Sequence, residues 1–493
     1  MADGEQAKGG GAAATTTESP LLDTILSKGM RARDDLQRSH ATGILGEFVR
    51  KISEGYIAPS KDVVASIDHA VAQIDQLLSA QLNEIMHAPE FKQLESTWRG
   101  LNYLVQQSET GPMLKIRVLN ASKKDLLDDV MKAVEFDQSG LFKKIYEDEF
   151  GTPGGQPFGI LIGDYEFGKH PQDVTLLEKV SNVAAASFAP FISAASPQLF
   201  GWDSFQELSG PRDLSMIFQS AEYIKYRSFR DSDDSRYVGL TLPHVLARLP
   251  YGEATAPVEA FRYEEGVTGK DHQKYLWMNA AWAFGSRVTD AFAKHGWPAA
   301  IRGKEGGGVV EGLPVHTFPT DDGEIVAKCP TEIAITDRRE AELDRLGFIP
   351  LSHYKDTDFS VFMGARSPNK AKKYSTDQAT ANAEISTLLP YQLACARFAH
   401  YLKMICRDKI GSFMERKDVE DYLTTWISKY VLLDDKATQD QKSKYPLREA
   451  RVEVTENKAK PGAYNAVFYL RPHFQLEELT MSLRLVSEVP KKK

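Results

Sequence analysis

The chain has 493 residues, 42% hydrophobic and 26% charged, with 60 basic and 68 acidic residues and a formal net charge of −8. That length exceeds what one core supports, so two or three domains are expected, and the mild acidity offers no general attraction to phosphate backbones or anionic membranes. The three cysteines, Cys329, Cys395 and Cys406, are too few and too scattered for a disulfide framework or a structural zinc site, which points to a reducing compartment.

The opening MADGEQAKGGGAAATTTESP has no basic start followed by an apolar core, so it does not read as a signal peptide. No stretch reaches the apolar length of a membrane span. The cytosol is the expected address. Residues 1–19 are rich in Gly, Ala and Thr and are expected to be disordered. Residues 20–58 read as partly helical and then extended, ending at GYIAPS, an arm with no core of its own.

A long helix follows, capped by Ser60 or Asp62. Val64, Ile67, Val71, Ile74, Leu78, Leu82 and Ile85 recur at spacings of three and four and form one helical face. Such a stripe is either a coiled-coil seam or a face packed on the body of its own domain. Pro89 suits the first turn of a second helix carrying Phe91, Leu94, Trp98, Leu101 and Val105. Residues 114–120, 123–136 and 158–167 then read as strand, helix and strand, and 170–196 as helical. That alternation predicts a layered α/β domain with some parallel pairing. Residues 275–296 form another helix, with Gly296 as its C-cap.

The basic, Pro-containing stretch 366–376 reads as the main boundary. It divides the chain into a tail and linker arm (1–58), a larger sheet-and-helix domain (59–370) and a C-terminal domain (371–493). In the last, 377–389, 390–408 and 413–433 read as helices, and 449–457 and 464–472 as a hairpin joined by KAKPGA. Within 474–486, Leu479, Met481, Leu483 and Leu485 alternate strictly with Thr480, Ser482 and Arg484, a period-2 strand near the end of the chain. It can pair with a neighbouring molecule by β-augmentation or with the hairpin of its own chain.

The strongest enzyme motif is Gly163-Asp164-Tyr165-Glu166-Phe167-Gly168-Lys169-His170, which matches a phosphate-binding loop except at its end. His170 stands where a Ser or Thr would hold Mg²⁺, and Pro171 removes a backbone donor. Asp164 and Glu166 would also set carboxylates beside the phosphates. Gly306–Gly308 read as a tightly turned or flexible loop. There is no H-E-x-x-H or G-x-S-x-G, and no two histidines stand at a metal-ligand spacing. Asp233 and Asp234, beside Arg227, Arg230 and Arg236, read as a salt-bridged loop. No catalytic, cofactor or metal residue is assigned.

Several long segments settle the class by resemblance. HAPEFKQLESTWRGLNYLV (87–105), PFGILIGDYEF (157–167), PRDLSMIF (211–218), SRYVGLTLPHVLARLPYG (235–252), AIRGKEGGGVVEGLP (300–314), CPTEIAITDRREAELDRLGFIPL (329–351) and RFAHYLKMICRDKIGSF (397–413) resemble the large subunits of type VI secretion contractile sheaths, the TssC or VipB type. The likeness continues from YPLREARVEV to LRPHFQLEEL and spans about residues 45–490. It implies a mixed α/β, α+β multidomain structural protein, not an enzyme. It implies a heterodimer with a small sheath subunit, stacked with copies of itself as a helical sheath around inner-tube hexamers on a baseplate. An AAA+ ATPase would disassemble the contracted sheath through the small subunit. Nucleic acid and membrane insertion play no part.

The resemblance also implies a shared sheet of terminal strands. That role would fall to Leu476, Leu479, Met481, Leu483 and Leu485, and to an arm containing Phe48, Ile52, Tyr56 and Ile57. Two alternatives remain: a sheath of another phage-tail-like machine, and a nucleotide hydrolase using Lys169.

Overall fold

The computed structural model describes residues 35–53, 63–456, 464–473 and 475, apart from single positions at 321, 413 and 435. The chain divides into two compact units, one of residues 1–84 with 252–265 and one of residues 85–251 with 266–493.

The first unit contains helix α1 (Asp35–Ser53) and most of helix α2 (Val63–Met86). Its 252–265 segment is tied to α2 by polar contacts. The Tyr263 hydroxyl donates to Asn83 Oδ1 at 2.7 Å, Asn83 Nδ2 donates to the Glu264 carbonyl, and the Glu264 amide donates to Ser79 Oγ. The expected caps Ser60 and Asp62 lie outside the described residues.

In the second unit, helix α3 (Pro89–Gln106) begins with its proline in the first turn, as predicted. Helix α4 (Lys123–Lys132) starts from a capping box in which Ser122 and Asp125 exchange hydrogen bonds. Residues 114–120, expected as a strand, pair with no strand among the described residues. Their alternation is real, but Val118 is 68% exposed and no neighbouring strand among the described residues takes up their backbone groups.

The centre is a six-stranded sheet built from β1 (Leu161–Phe167), β2 (Phe191–Ala195), β3 (Val238–Leu242), a two-residue β6 (Val309–Val310), β9 (Ile349–His353) and β10 (Ser360–Phe362). The short pairs β4 (Val245–Leu246) with β5 (Trp277–Met278), and β7 (Thr317–Pro319) with β8 (Ile325–Ala327), lie apart. The sheet order is β1-β2-β3-β9-β10-β6. The first four strands run parallel, and β10 pairs antiparallel with both β9 and β6.

Every residue of β2 and β3 is buried, as expected of parallel strands covered on both faces. Phe191 and Ala195 pack with helix α5 (Pro171–Ser187), and Ile192 packs on the other side with helix α6 (Ala280–His295). The two cores therefore lie on opposite sides of one sheet.

Two predicted helices needed correction. Residues 170–196 are not helical throughout: α5 stops at a left-handed Phe188 (φ 52°), and FISAA becomes β2. A five-residue apolar run in a central strand has no period of its own, so its type is not readable from spacing. Residues 275–279 do not belong to α6, because Asn279 caps it from Ala281 N while Trp277 and Met278 pair with β4. At the other end Gly296 takes φ 77° and closes α6 as predicted.

Beyond the sheet the stretch 366–376 begins inside the unit. Asn369 is buried and its amide donates to the Ser232 carbonyl at 2.7 Å and to Ser235 Oγ at 2.9 Å. Then come a helix at Asp377–Ile385, helix α7 (Leu389–Asp408), helix α8 (Arg416–Ser428), and strands β11 (Leu447–Glu456) and β12 (Tyr464–Pro472). Helices α7 and α8 and strands β11 and β12 share a third core in which Trp297 stacks on Phe398 at 4.0 Å.

Candidate assembly surface

The C-terminal hairpin forms because period-2 alternation gives each strand one apolar and one polar face. In register, Ala450 faces Leu470, Val452 faces Phe468 and Val454 faces Ala466. This side lies on Phe398, Leu402, Leu423 and Ile427. The opposite side carries Glu449 against Arg471 (3.6 Å) and Arg451 against Tyr469, whose hydroxyl reaches Glu453. Val467 and Tyr469 are exposed there.

Among the described residues this sheet has only two strands. Among the same residues no strand pairs with the outer edge of β12, and the outer side of β11 makes one parallel bridge, Val431 to Leu447. Two strands alone are marginally stable, and an edge strand that lacks a partner is a template for another strand.

The residues expected to supply such a strand, Leu476, Leu479, Met481, Leu483 and Leu485, lie outside the described residues, as do Tyr56 and Ile57. Phe48 and Ile52 fall on α1, and their side chains are outside the description.

Two helices present apolar faces outward. On α2 the predicted stripe is exposed at Ile67, Val71 (50%), Ile74, Leu78 and Ile85. On α3 the predicted face is likewise turned out, with Leu94, Val105 and Trp98 (63%) exposed. The face that α3 buries is the one carrying Gly100 and Leu104. A Cβ on Gly100 would stand 2.3 Å from the Trp282 ring of α6, so the small residue sets how closely these helices approach. A glycine inside a helical pattern was the available signal for that face.

The phosphate-loop motif folds differently from a nucleotide site. Strand β1 runs through Phe167, so residues 163–167 are extended and not a loop. Asp164 accepts from Thr97 Oγ1 and from Trp282 Nε1. The Gly168 amide donates to Asp173 Oδ2 at 2.8 Å, and Lys169 pairs with Glu222 at 2.9 Å. His170 is the N-cap of α5 and Pro171 its first residue. The groups that would cradle phosphate are thus committed within the fold. Lys169→Ala is expected to leave thermal unfolding unchanged, with ATP titrations flat for both proteins. Saturable ATP binding lost in the variant would contradict this.

One polar cluster escaped the sequence reading. His244 uses both ring nitrogens on carboxylates, Nδ1 on Glu332 (2.5 Å) and Nε2 on Glu166 (2.8 Å), while His272 Nε2 meets Glu332 at 3.2 Å. Glu332 also accepts from Ser204 Oγ and the Phe205 amide. Burial disfavours the His244 imidazolium, but the Glu166 charge and the hydrogen bonds to both carboxylates outweigh it and hold the ring at about 10. Burial pushes Glu332 up, and the hydrogen bonds from His244 and His272 more than reverse this, holding it well below the usual carboxylate range. With both His244 nitrogens occupied by carboxylates, the cluster is an ion-pair clamp joining the ends of β1 and β3 to residues 272 and 332. Among the described residues no group of three or more His, Cys, Asp or Glu is arranged to hold a metal, and no helix is long and apolar enough to cross a membrane.

Two family models match the chain: the EvpB/VC_A0108 tail sheath N-terminal domain over residues 68–369, and the EvpB/VC_A0108 tail sheath gpW/gp25-like domain over residues 378–489. A Type VI secretion system sheath protein TssC1 from Pseudomonas aeruginosa is 50% identical over 492 residues, covering 97% of each chain. Among solved structures, the anti-feeding prophage baseplate matches 64% of this chain and 66% of its own at 11% identity and a TM-score of 0.33. The contracted PVC sheath complex of an extracellular contractile injection system matches 63% and 68% at 9% identity and a TM-score of 0.28. Those two likenesses are too slight to carry an argument.

Proposed function

The chain belongs to the VipB family of type VI secretion tail sheaths and is a structural subunit of a contractile sheath, and on that premise we propose that its C-terminal hairpin is the seam of the lattice. Residues 474–486, carrying Leu476, Leu479, Met481, Leu483 and Leu485, would leave their own molecule and extend the hairpin sheet of a neighbour. The arm through Phe48, Ile52, Tyr56 and Ile57 would add a second such link. The observation that carries this reading is that, among the described residues, the hairpin sheet has two strands, with a single bridge at Leu447 on the outer side of β11. Each added backbone hydrogen bond contributes about 1 kcal/mol net, so a strand of this length stitches subunits by several kcal/mol before any side-chain burial.

In the same reading the chain pairs with a small sheath subunit and polymerises with copies of itself around inner-tube hexamers in the bacterial cytoplasm. It starts from a baseplate, and an AAA+ ATPase later takes the contracted form apart through the small subunit. Residues 1–58 would serve as tail and arm, 59–370 as the larger sheath domain and 371–493 as the strand-exchanging domain. Contraction needs no catalytic residue. The free energy lies in the difference between two sets of interfaces, which are bistable because packed contacts do not deform continuously.

Negative-stain electron microscopy of the chain co-expressed with its small partner tests this, with and without residues 474–493. Long hollow tubes from the full pair, absent after truncation while the heterodimer persists, are expected. Tubes that survive truncation would move the seam elsewhere. Tubes from this chain alone would indicate a homopolymeric sheath.

A further inference from the structure

The glycine run at 306–308, left over by the functional reading, leads to Gln475, three residues past the end of β12. After β12 the His473 amide donates to the Pro446 carbonyl at 3.0 Å. Gln475 then makes three hydrogen bonds, none of them to the hairpin. Its amide donates to the Tyr391 hydroxyl at 2.8 Å, its Oε1 accepts from Arg302 Nε at 2.7 Å, and its Nε2 donates to the Ala299 carbonyl at 3.2 Å. Arg302 and Tyr391 are themselves buried.

Arg302 is fixed by the glycines. A Cβ on Gly306 would lie 2.3 Å from the Arg302 carbonyl, and one on Gly308 would lie 2.7 Å from Arg302 Cα. Gly307 holds φ 91°, and its Cβ would stand 2.2 Å from the Ala300 carbonyl. The same loop is bolted to the six-stranded sheet. Gly303 N donates to the Phe362 carbonyl (2.7 Å), and Phe362 N donates to the Gly308 carbonyl (3.0 Å). Phe362 is the last residue of β10.

We infer that Gln475 is a positioning residue, the tether through which load on the C-terminal strand passes by way of Arg302 and the glycine loop into the six-stranded sheet. This rests on the strand-exchange reading above. A glutamine suits the place because one side chain must accept from a guanidinium and donate to a carbonyl at once. Glutamate would turn a carboxylate towards the Ala299 carbonyl, and asparagine is one methylene short. Without the tether, a pull on the strand falls on β12, an edge strand of a two-stranded sheet, and peels it.

The test uses the full chain co-expressed with its small partner, as Gln475→Ala, Arg302→Ala and the double variant. Unfolding temperature, heterodimer yield and the fraction of protein pelleting as tubes are measured for each. Gln475→Ala is expected to keep wild-type heterodimer yield and unfolding temperature while tube mass falls roughly tenfold. The double variant should fall no further than the worse single one, because both remove the same link. Wild-type tube mass in Gln475→Ala overturns the inference, as does a double variant in which the two losses multiply. A fall in unfolding temperature parallel to the loss of tubes would make Gln475 an ordinary packing residue and overturn it equally. If the wild-type pair formed no tubes, the strand-exchange reading itself would fail, a result distinct from all three.

Discussion

Glu332→Gln is expected to destabilise the chain by about 3 kcal/mol near pH 6, the cost of removing one partner from a buried charged pair. Glutamine keeps the shape and an acceptor for Phe205 N and Ser204, but leaves the His244 cation with Glu166 alone. The sign of the pH dependence follows from the two shifts. His244 is raised from 6.5 to about 10, so its contribution is complete below 6.5 and is lost as pH climbs through 10. Glu332 is lowered from 4.5, so its contribution is complete above 4.5 and is lost only in stronger acid. The clamp is therefore firmest between those two ordinary values and loosens towards alkaline pH. Denaturation midpoints of both proteins at pH 6 and pH 9.5 should show a gap that narrows at the higher pH. A gap of constant size would mean that shape, not charge, is what the substitution removes.

Gly307→Ala should cost roughly 3 kcal/mol, combining left-handed backbone strain with a methyl group forced against the Ala300 carbonyl. Gly312 is the internal control. It has φ 67° but nothing within 4 Å of where a Cβ would go, so alanine there carries the backbone term alone, about 1 kcal/mol. Thermal unfolding of the two variants side by side separates the contributions. Equal shifts would show that the loop is not tightly wrapped around residues 300–302.

What could be read in the amino-acid order was whatever repeats locally. The α2 stripe, Pro89 at a helix start, Gly296 at a helix end and the alternation of β11 and β12 all announce themselves within a few residues, and the structure has each of them. Alternation also misled at 114–120, because period 2 states that a strand is possible and not that a partner strand exists. The central strand β2 was hidden because residues buried on both faces lose the polar half of the pattern. The outward direction of the α2 and α3 stripes was equally hidden, since periodicity identifies a face but not what covers it.

The polar sites were illegible for a different reason. His244 meets partners 78 and 88 positions away, and Gln475 meets Arg302 across 173. No spacing rule reaches so far. The glycines at 306–308 were visible, but their purpose depends on a side chain whose own partner lies near the other end of the chain.

The outward apolar faces of α2 and α3 have a consequence for how the cell must make this protein. Ile74, Leu78 and Trp98 meet water in the lone chain, and surfaces of that kind cause sticking to whatever is nearby. A surplus of this polypeptide is expected to precipitate. How much of the polypeptide is made at one time then bears on its solubility as directly as any contact within it.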